Sequence, residues 1–400
     1  MKPNITLTVQ KKALHDAALS ASKASISPSR CKRLDLDFIY SCIVFRLNDY
    51  FTMYAMASDS KRMITVPVAL LDRKGDTTSF AVRTDEILPI INLLDDQELV
   101  VDIYSNSITF HHSYGTFTLP LVTEGLDAFL EKRTELEKLP ARYSLDIESS
   151  FFFCALKRLR KYVRPDELRP VLDGICIHRH AGKIDFVASD GWKLIKITKT
   201  DTECTLSTKL LISREDMEVI RYILPRTGIV SISYTEPSEK ETDNKPICRM
   251  LMDNKTEYWF SPNEGRFPDY SKVIPAKFKC EARIHRTLLM KSLNRLSYFC
   301  PVSNIVRVAL QNGKATLFTE DKDFKTSSSE HLSIEHNGTN ARFGLKIDNV
   351  TDLLKSLPGE EIRLKSTGKP DAAVVVIPDN QPEDQEITTL FMPCVIDSLT

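Results

Sequence analysis

Near the start of the chain, apolar and polar residues alternate with a period of two over Ile5 to Val9, the signature of a half-buried strand. The period then changes. Leu14, Ala17, Ala18 and Ala21 follow the i, i+3, i+4, i+7 stripe, which predicts a helix over Lys11 to Lys23. The same strand-then-helix pattern returns twice, as Tyr143 to Ile147 before Ser149 to Tyr162 and as Ala282 to Ile284 before Thr287 to Ser297. A second helix is predicted downstream in each copy, at Asp85 to Leu94, Arg214 to Ile223 and Asn349 to Leu357. Asp85, Ser213 and Asp348 are the expected caps at those helix starts.

Between the two helices of each copy lies a polar break flanked by strand-like runs. Met56-Ala57-Ser58-Asp59-Ser60-Lys61-Arg62-Met63 recurs as Val187-Ala188-Ser189-Asp190-Gly191-Trp192-Lys193-Leu194, and more faintly as Phe318 to Phe324. The aspartates fall at 59, 190 and 321, two intervals of 131 residues each. Equal intervals identify an internal repeat. Asp and Gly accept the backbone angles of a tight hairpin turn, so these aspartates are expected to shape turns.

The reading is therefore α+β: three tandem modules, each with two helices on one face of an antiparallel sheet, at 1–139, 140–276 and 277–400. The junctions Leu139-Pro140 and Ile274-Pro275 mark the boundaries. Four hundred residues exceed one hydrophobic core, which agrees with several modules. Thr235 to Lys245 is polar throughout and is expected to be a solvated hairpin loop in the second module.

Composition is that of an ordinary globular protein, 42% hydrophobic and 27% charged. Lys+Arg and Asp+Glu both number 54, so only local patches could attract an acidic partner. The nine cysteines include no C-x-x-C pair, which argues for a reduced compartment, and a cytoplasmic location is expected. No secretory leader is recognised at Met1-Lys2-Pro3-Asn4, and no stretch approaches the ~18 apolar residues of a membrane span.

A search for chemistry yields little. Gly182-Lys183, Gly313-Lys314 and Gly368-Lys369 lack the rest of a phosphate loop and read as turns. His178 and His180 share one strand face without a third ligand nearby, so no metal is expected. No nucleophile or zinc-hydrolase signature occurs. An enzyme with its active site between modules would need convergent ionisable groups, and none is apparent.

Four stretches change the picture. Leu168-Arg169-Pro170-Val171-Leu172-Asp173-Gly174-Ile175, Ala188 to Leu194, Gly265-Arg266-Phe267-Pro268-Asp269-Tyr270 before Val273-Ile274-Pro275, and Phe391-Met392-Pro393 occur in the order and spacing of the bacterial beta sliding clamp. With the threefold repeat, the chain resembles that family over essentially its whole length. The resemblance implies three DNA-clamp domains and a head-to-tail homodimer closed into a ring around duplex DNA, with no catalytic site or cofactor of its own. It also implies a peptide-binding pocket for the replicative polymerase, the clamp loader and other clamp-binding proteins.

By position that pocket falls on Leu172, Ser189, Gly191, Trp192, Leu194, Pro268, Val273, Ile274, Leu390, Met392, Pro393 and Cys394. Phosphate contact is expected from Lys157, Arg158, Lys161, Arg164, Arg169, Lys291 and Arg295, in or near the first helices of the second and third modules. Charge runs are usually solvated faces, and it is the ring implied by the resemblance that turns this one toward DNA. The chain departs from the family at Trp192, where a smaller ring is usual, at Pro170-Val171 in place of two aromatics, and at Val395-Ile396. It continues through Asp397 to Thr400 beyond the usual end. A paralogue that keeps the ring and pocket but never loads on DNA is the competing expectation.

Overall fold

The computed structural model describes residues 3–48, 51–141, 143–200, 204–206, 209–235, 246–321 and 323–394. The expected polar loop beyond Thr235, the Val395-Ile396 departure and the final residues 397–400 lie outside them. The chain packs as two compact units, Met1–Phe151 with Glu218–Pro262, and Phe152–Met217 with Asn263–Thr400.

The first unit is built on one antiparallel sheet. Its strands run in the order Gly115–Pro120, Ser107–His112, Glu98–Ile103, Ile5–Gln10, Arg62–Lys74, Glu257–Phe260, Ile247–Met252, Ile229–Thr235 and Tyr143–Glu148. Thr52–Ser58, Cys42–Leu47 and Ser79–Arg83 branch from Arg62–Lys74. The second unit has a nine-stranded sheet, from Leu210–Ser213 through Gly174–His180, Lys183–Ser189, Lys193–Lys199 and Gln385–Phe391 to Val374–Pro378, Glu361–Ser366, Cys280–His285 and Glu335–Gly338. It also has a four-stranded sheet of Thr326–Ser333, Lys314–Asp321, Ile305–Gln311 and Ala341–Lys346.

Strand and helix alternate as the hydrophobic pattern predicts. Strand Ile5–Gln10 leads into helix Lys11–Ala21, Tyr143–Glu148 into Ser149–Leu159, and Cys280–His285 into Arg286–Leu296. Each helix tightens into a short 3-10 turn at its end, at Ser22–Ala24, Arg160–Tyr162 and Ser297–Phe299. The second helices are Thr84–Leu93, Arg214–Ile223 and Ile347–Ser356. Burial explains the stripe: Leu14, Ala17, Ala18 and Ala21 face the core in the first helix, as do Leu289, Leu293 and Leu296 in Arg286–Leu296. A fully buried leucine contributes about 1.5–3 kcal/mol.

Of the three expected caps, only Ser213 caps. Its hydroxyl oxygen accepts the Asp216 N–H at 3.0 Å. Asp85 and Asp348 lie inside the first turn, after Arg83 and Lys346 at the cap positions. Asp85 is held by the Arg83 guanidinium at 2.7 and 3.0 Å, and Asp348 by the Asn304 amide.

Two features are absent from the sequence reading. Helices Pro28–Arg33 and Leu126–Lys138 occur, the second just ahead of the Leu139-Pro140 junction. The sheets also run through the boundaries expected between modules: Trp259 pairs with Met63, and Leu390 with Leu194. Each unit thereby gathers strands from two repeats, and strand edges that would otherwise be open templates for aggregation are paired. No helix among the described residues is long and apolar enough to cross a membrane.

Candidate functional site

The three repeated aspartates do the same structural work. One carboxylate oxygen accepts two successive backbone N–H groups: those of Lys61 and Arg62 at Asp59, of Trp192 and Lys193 at Asp190, and of Asp323 and Phe324 at Asp321, all at 2.7–3.1 Å. In the second copy the Ser189 hydroxyl closes the turn, accepting the Gly191 N–H and donating to the Lys193 carbonyl. Gly191 has φ +87°, a conformation glycine adopts without a Cβ penalty.

This turn throws Trp192 outward, 62% exposed, and drives Lys193 inward to 0% exposure. The Lys193 ammonium lies 2.6 Å from the Asp352 carboxylate and 5.5 Å from the Tyr162 ring centroid. A cavity of about 330 Å³ opens beside the turn, lined by Arg169, Leu172, Ser189, Gly191, Trp192, Lys193, Leu194, Phe267, Pro268, Tyr270, Val273, Leu390 and Met392. Leu172, Leu194, Leu390, Phe267 and Tyr270 belong to one buried apolar cluster, with Ile274 packed against it.

Behind the cavity wall is a polar network. The buried Asp185 carboxylate accepts from the Tyr270 hydroxyl at 2.8 Å and the Thr198 hydroxyl at 2.6 Å, and His180 Nε2 lies 2.8 Å from it. His178 Nδ1 is 2.8 Å from the same Tyr270 oxygen. Burial, then the bond to Asp185, pushes the Tyr270 hydroxyl well above its ordinary pKa. Burial, with Lys209 and His180 nearby, lowers that of His178. The paired histidines thus anchor a cavity wall, and no cluster of metal-ligating side chains occurs among the described residues.

The expected phosphate-contacting side chains divide into two kinds. Lys157 and Lys291 project from their helices as exposed cations, and Lys161 is partly buried, its pKa lowered by desolvation. The others are engaged. Arg158 is desolvated and reaches the Gln385 side chain at 3.4 Å. Arg164 lies 3.5 Å from Asp190 and 3.7 Å from Asp352. Arg295 is held by both oxygens of Glu330 at 2.8 and 2.6 Å. Arg169 is tied to Asp166 at 2.7 Å and donates to the Asp190 carbonyl at 3.3 Å.

No family model matches the chain. Among individual proteins, it is 22% identical to the beta sliding clamp of Synechococcus elongatus over 343 residues, 81% of this chain and 83% of that one. It is 24% identical to that of Synechocystis over 212 residues, 50% of this chain, and there the match spans about half (53%) of the relative's length. Among solved structures, the DNA polymerase III beta subunit of Thermotoga maritima superimposes with a TM-score of 0.80 at 18% identity, covering 98% of this chain and 100% of that one. The Pseudomonas aeruginosa sliding clamp bound to griselimycin gives 0.83 at 17% identity, with the same coverage. The chain is similar to the bacterial beta sliding clamps in sequence and in fold.

Nine of the twelve residues expected in a clamp-type pocket line the cavity. Ile274 packs just behind it, while Pro393 and Cys394 turn away: the Cys394 N–H donates to the Gly344 carbonyl at 2.9 Å and carries the strand past the opening. Arg169, expected to contact phosphate, lines the cavity, held over the turn by its ion pair with Asp166 and its bond to the Asp190 carbonyl. Lys193, Phe267 and Tyr270 complete the lining. The last two lay within the Gly265 to Tyr270 motif, three apart, and could have been read from it; the inward aim of Lys193 depends on Asp352, far away in sequence.

Proposed function

We propose that this chain is a DNA sliding clamp: three tandem clamp domains, 1–139, 140–276 and 277–400, of which two copies close head to tail around duplex DNA. It acts without a catalytic site or cofactor, in the cytoplasm, as an accessory subunit of a replicative polymerase. A ring kept on DNA by topology needs only mild attraction to phosphates without base readout, so a chain with no net charge suffices. Lys157, Lys161 and Lys291 are the cations best placed to supply it, since the neighbouring arginines already hold protein partners.

The observation that carries this reading is the open, mostly apolar cavity at the Ser189 to Leu194 turn, in a chain whose fold follows that of sliding clamps over 98% of its length. Leucine, proline and aromatic walls suit the hydrophobic anchors of a linear peptide, and the Met392 wall can re-pack for several partners. Polymerase, clamp loader and other clamp-binding proteins would dock there through short motifs, and tethering raises the polymerase's effective concentration at the primer end.

The test is retention on nicked circular DNA after loading by a cognate clamp loader. The protein is expected to stay on the circle and to leave once the DNA is linearised, and Lys157→Glu with Lys161→Glu to weaken retention. Failure of the unaltered protein to be retained on any circle, with the pocket still binding a polymerase tail peptide, would favour a scaffold that never loads.

A further inference from the structure

The register of the two sheets places a second copy of the pocket floor in the first unit. In the second unit, Cys176 is cross-strand neighbour to Val187 and Leu211, and Leu194 to Leu390. In the first unit, Val44 is neighbour to Met56 and Ala81, and Met63 to Trp259. Met56, Met63 and Trp259 precede Val187, Leu194 and Leu390 by 131 residues each, the interval of the turn aspartates. Both sets form buried apolar clusters. The difference lies in what covers them. Over the second set, Phe267, Pro268, Tyr270 and Val273 leave a cavity open; over the first lies helix Leu126–Lys138, with Phe129 and Leu136 buried among Met56, Met63 and Trp259.

The helix is fastened at the turn as well. The Lys132 ammonium donates to the Ser60 carbonyl at 2.7 Å, at the position equivalent to Gly191. Arg133 reaches Glu257 at 2.7 Å, beside Trp259 on the paired strand. Two apolar anchors seven residues apart with cations between them is how an amphipathic helix seats in a groove.

We infer that helix Leu126–Lys138 is a resident occupant of a second peptide site, so that the apolar floor left open beside Trp192 has an equivalent in the first unit that the chain itself covers. The segment that fits the covered site is an amphipathic helix with an aromatic residue and a leucine seven positions apart and a lysine for the turn carbonyl. The inference extends the peptide-pocket reading to a new surface, but its test does not depend on that reading.

The chain has two tryptophans, and one lies at each copy: Trp192 exposed at the open pocket, Trp259 at 3% exposure under the helix. In the full chain carrying Trp192→Phe, so that Trp259 reports alone, Phe129→Ser with Leu136→Ser is expected to shift its emission to the red and raise acrylamide quenching several-fold. A synthetic peptide of residues 124–140 added in trans should reverse both changes, saturating at one peptide per chain, while the same peptide with serine at both anchors should not. Emission that stays blue in the variant, or a peptide that restores nothing, overturns the inference. Should the variant unfold, hydrogen exchange on the unaltered chain decides. Amides of Leu126–Lys138 must open while strand Arg62–Lys74 stays protected; exchange of both in one step would make the helix ordinary core. DNA retention and binding at Trp192 enter neither measurement, so the clamp reading and this one can fail separately.

Discussion

Lys193 offers a sharp test of how the pocket is held in shape. Its side chain is wholly buried, yet its carboxylate partner Asp352 keeps 37% side-chain exposure. Breaking a buried ion pair from one side costs about 3–5 kcal/mol, because the remaining charge is stranded. Asp352→Ala strands the lysine, with the Tyr162 ring 5.5 Å away as partial compensation. Allowing for solvent screening at the exposed aspartate, the expected loss is about 2–3 kcal/mol. Lys193→Met acts on the other partner with a different result: it removes the desolvated charge, keeps much of the volume, and leaves Asp352 in water with Arg164 at 3.7 Å. Its expected cost is under about 1 kcal/mol, because replacing a buried charge with an apolar side chain is often neutral. The assay is urea denaturation of the single and double variants, following the transition that carries strand Lys193–Lys199 by pulse-labelled hydrogen exchange. If Lys193→Met costs as much as Asp352→Ala, the pair is a net contributor to stability and the desolvation argument is wrong.

Trp192→Ala should leave stability within about 0.5 kcal/mol, since the ring is exposed, while weakening a polymerase tail peptide by roughly tenfold, as truncation of an aromatic anchor does; calorimetry reads both. Asp190→Ala, which frees two backbone N–H groups held at 2.9 Å, should cost about 2 kcal/mol and loosen the pocket, whereas Asp59→Ala should cost a similar amount with no effect on peptide affinity. His178 has a folded pKa below its unfolded value, so its contribution is present above the unfolded pKa of about 6.5 and is lost as pH falls through the folded one. The urea midpoint of the second unit should therefore drop from pH 7 to 5.5, and His178→Gln should flatten that slope. If Lys157 and Lys291 each neutralise a phosphate, replacing both with Ala should lower the log–log salt slope of DNA binding by about 1.8, while Arg295→Ala, already held by Glu330, should change it little.

What the sequence made legible followed the reach of its signals. The six repeated helices could be read because their apolar stripes are local and recur in each module. Helix Leu126–Lys138 carries such a stripe too, at Leu126, Phe129, Leu130 and Leu136, but it occurs in one module only, and a reading guided by repetition passes over what does not repeat. The joining of strands across modules had no local trace at all. Met63 and Trp259 stand 196 residues apart, as do Leu194 and Leu390, and edge pairing at that separation is chosen by the folded sheet rather than by neighbouring residues. The pocket lining was legible mainly through family resemblance. The cavity lining departs from the expected set where a side chain's direction depends on a partner: Arg169 on Asp166, Lys193 on Asp352, and Cys394 on Gly344.

The three aspartates show why repetition and function part company in this chain. Equal spacing at 59, 190 and 321 marks repeated turns, and each carboxylate accepts two backbone N–H groups of its own turn. What repeats is the device that reverses the strand. What distinguishes the copies is what the turn carries and what lies over it: Ser60 and Lys61 under a helix in one unit, Gly191 and Trp192 beside an open cavity in the other. At the second copy a φ of +87° is occupied by glycine, where an added Cβ would collide with the Arg169 guanidinium, whereas in the first copy Ser60 holds φ +77°. Gly191→Ala should therefore cost about 1–2 kcal/mol in stability through the positive φ and, by displacing Arg169 from the pocket rim, also weaken peptide binding. A stability loss with peptide affinity unchanged would mean that the Arg169 rim plays no part in recognition and that the repeated turn serves the fold alone.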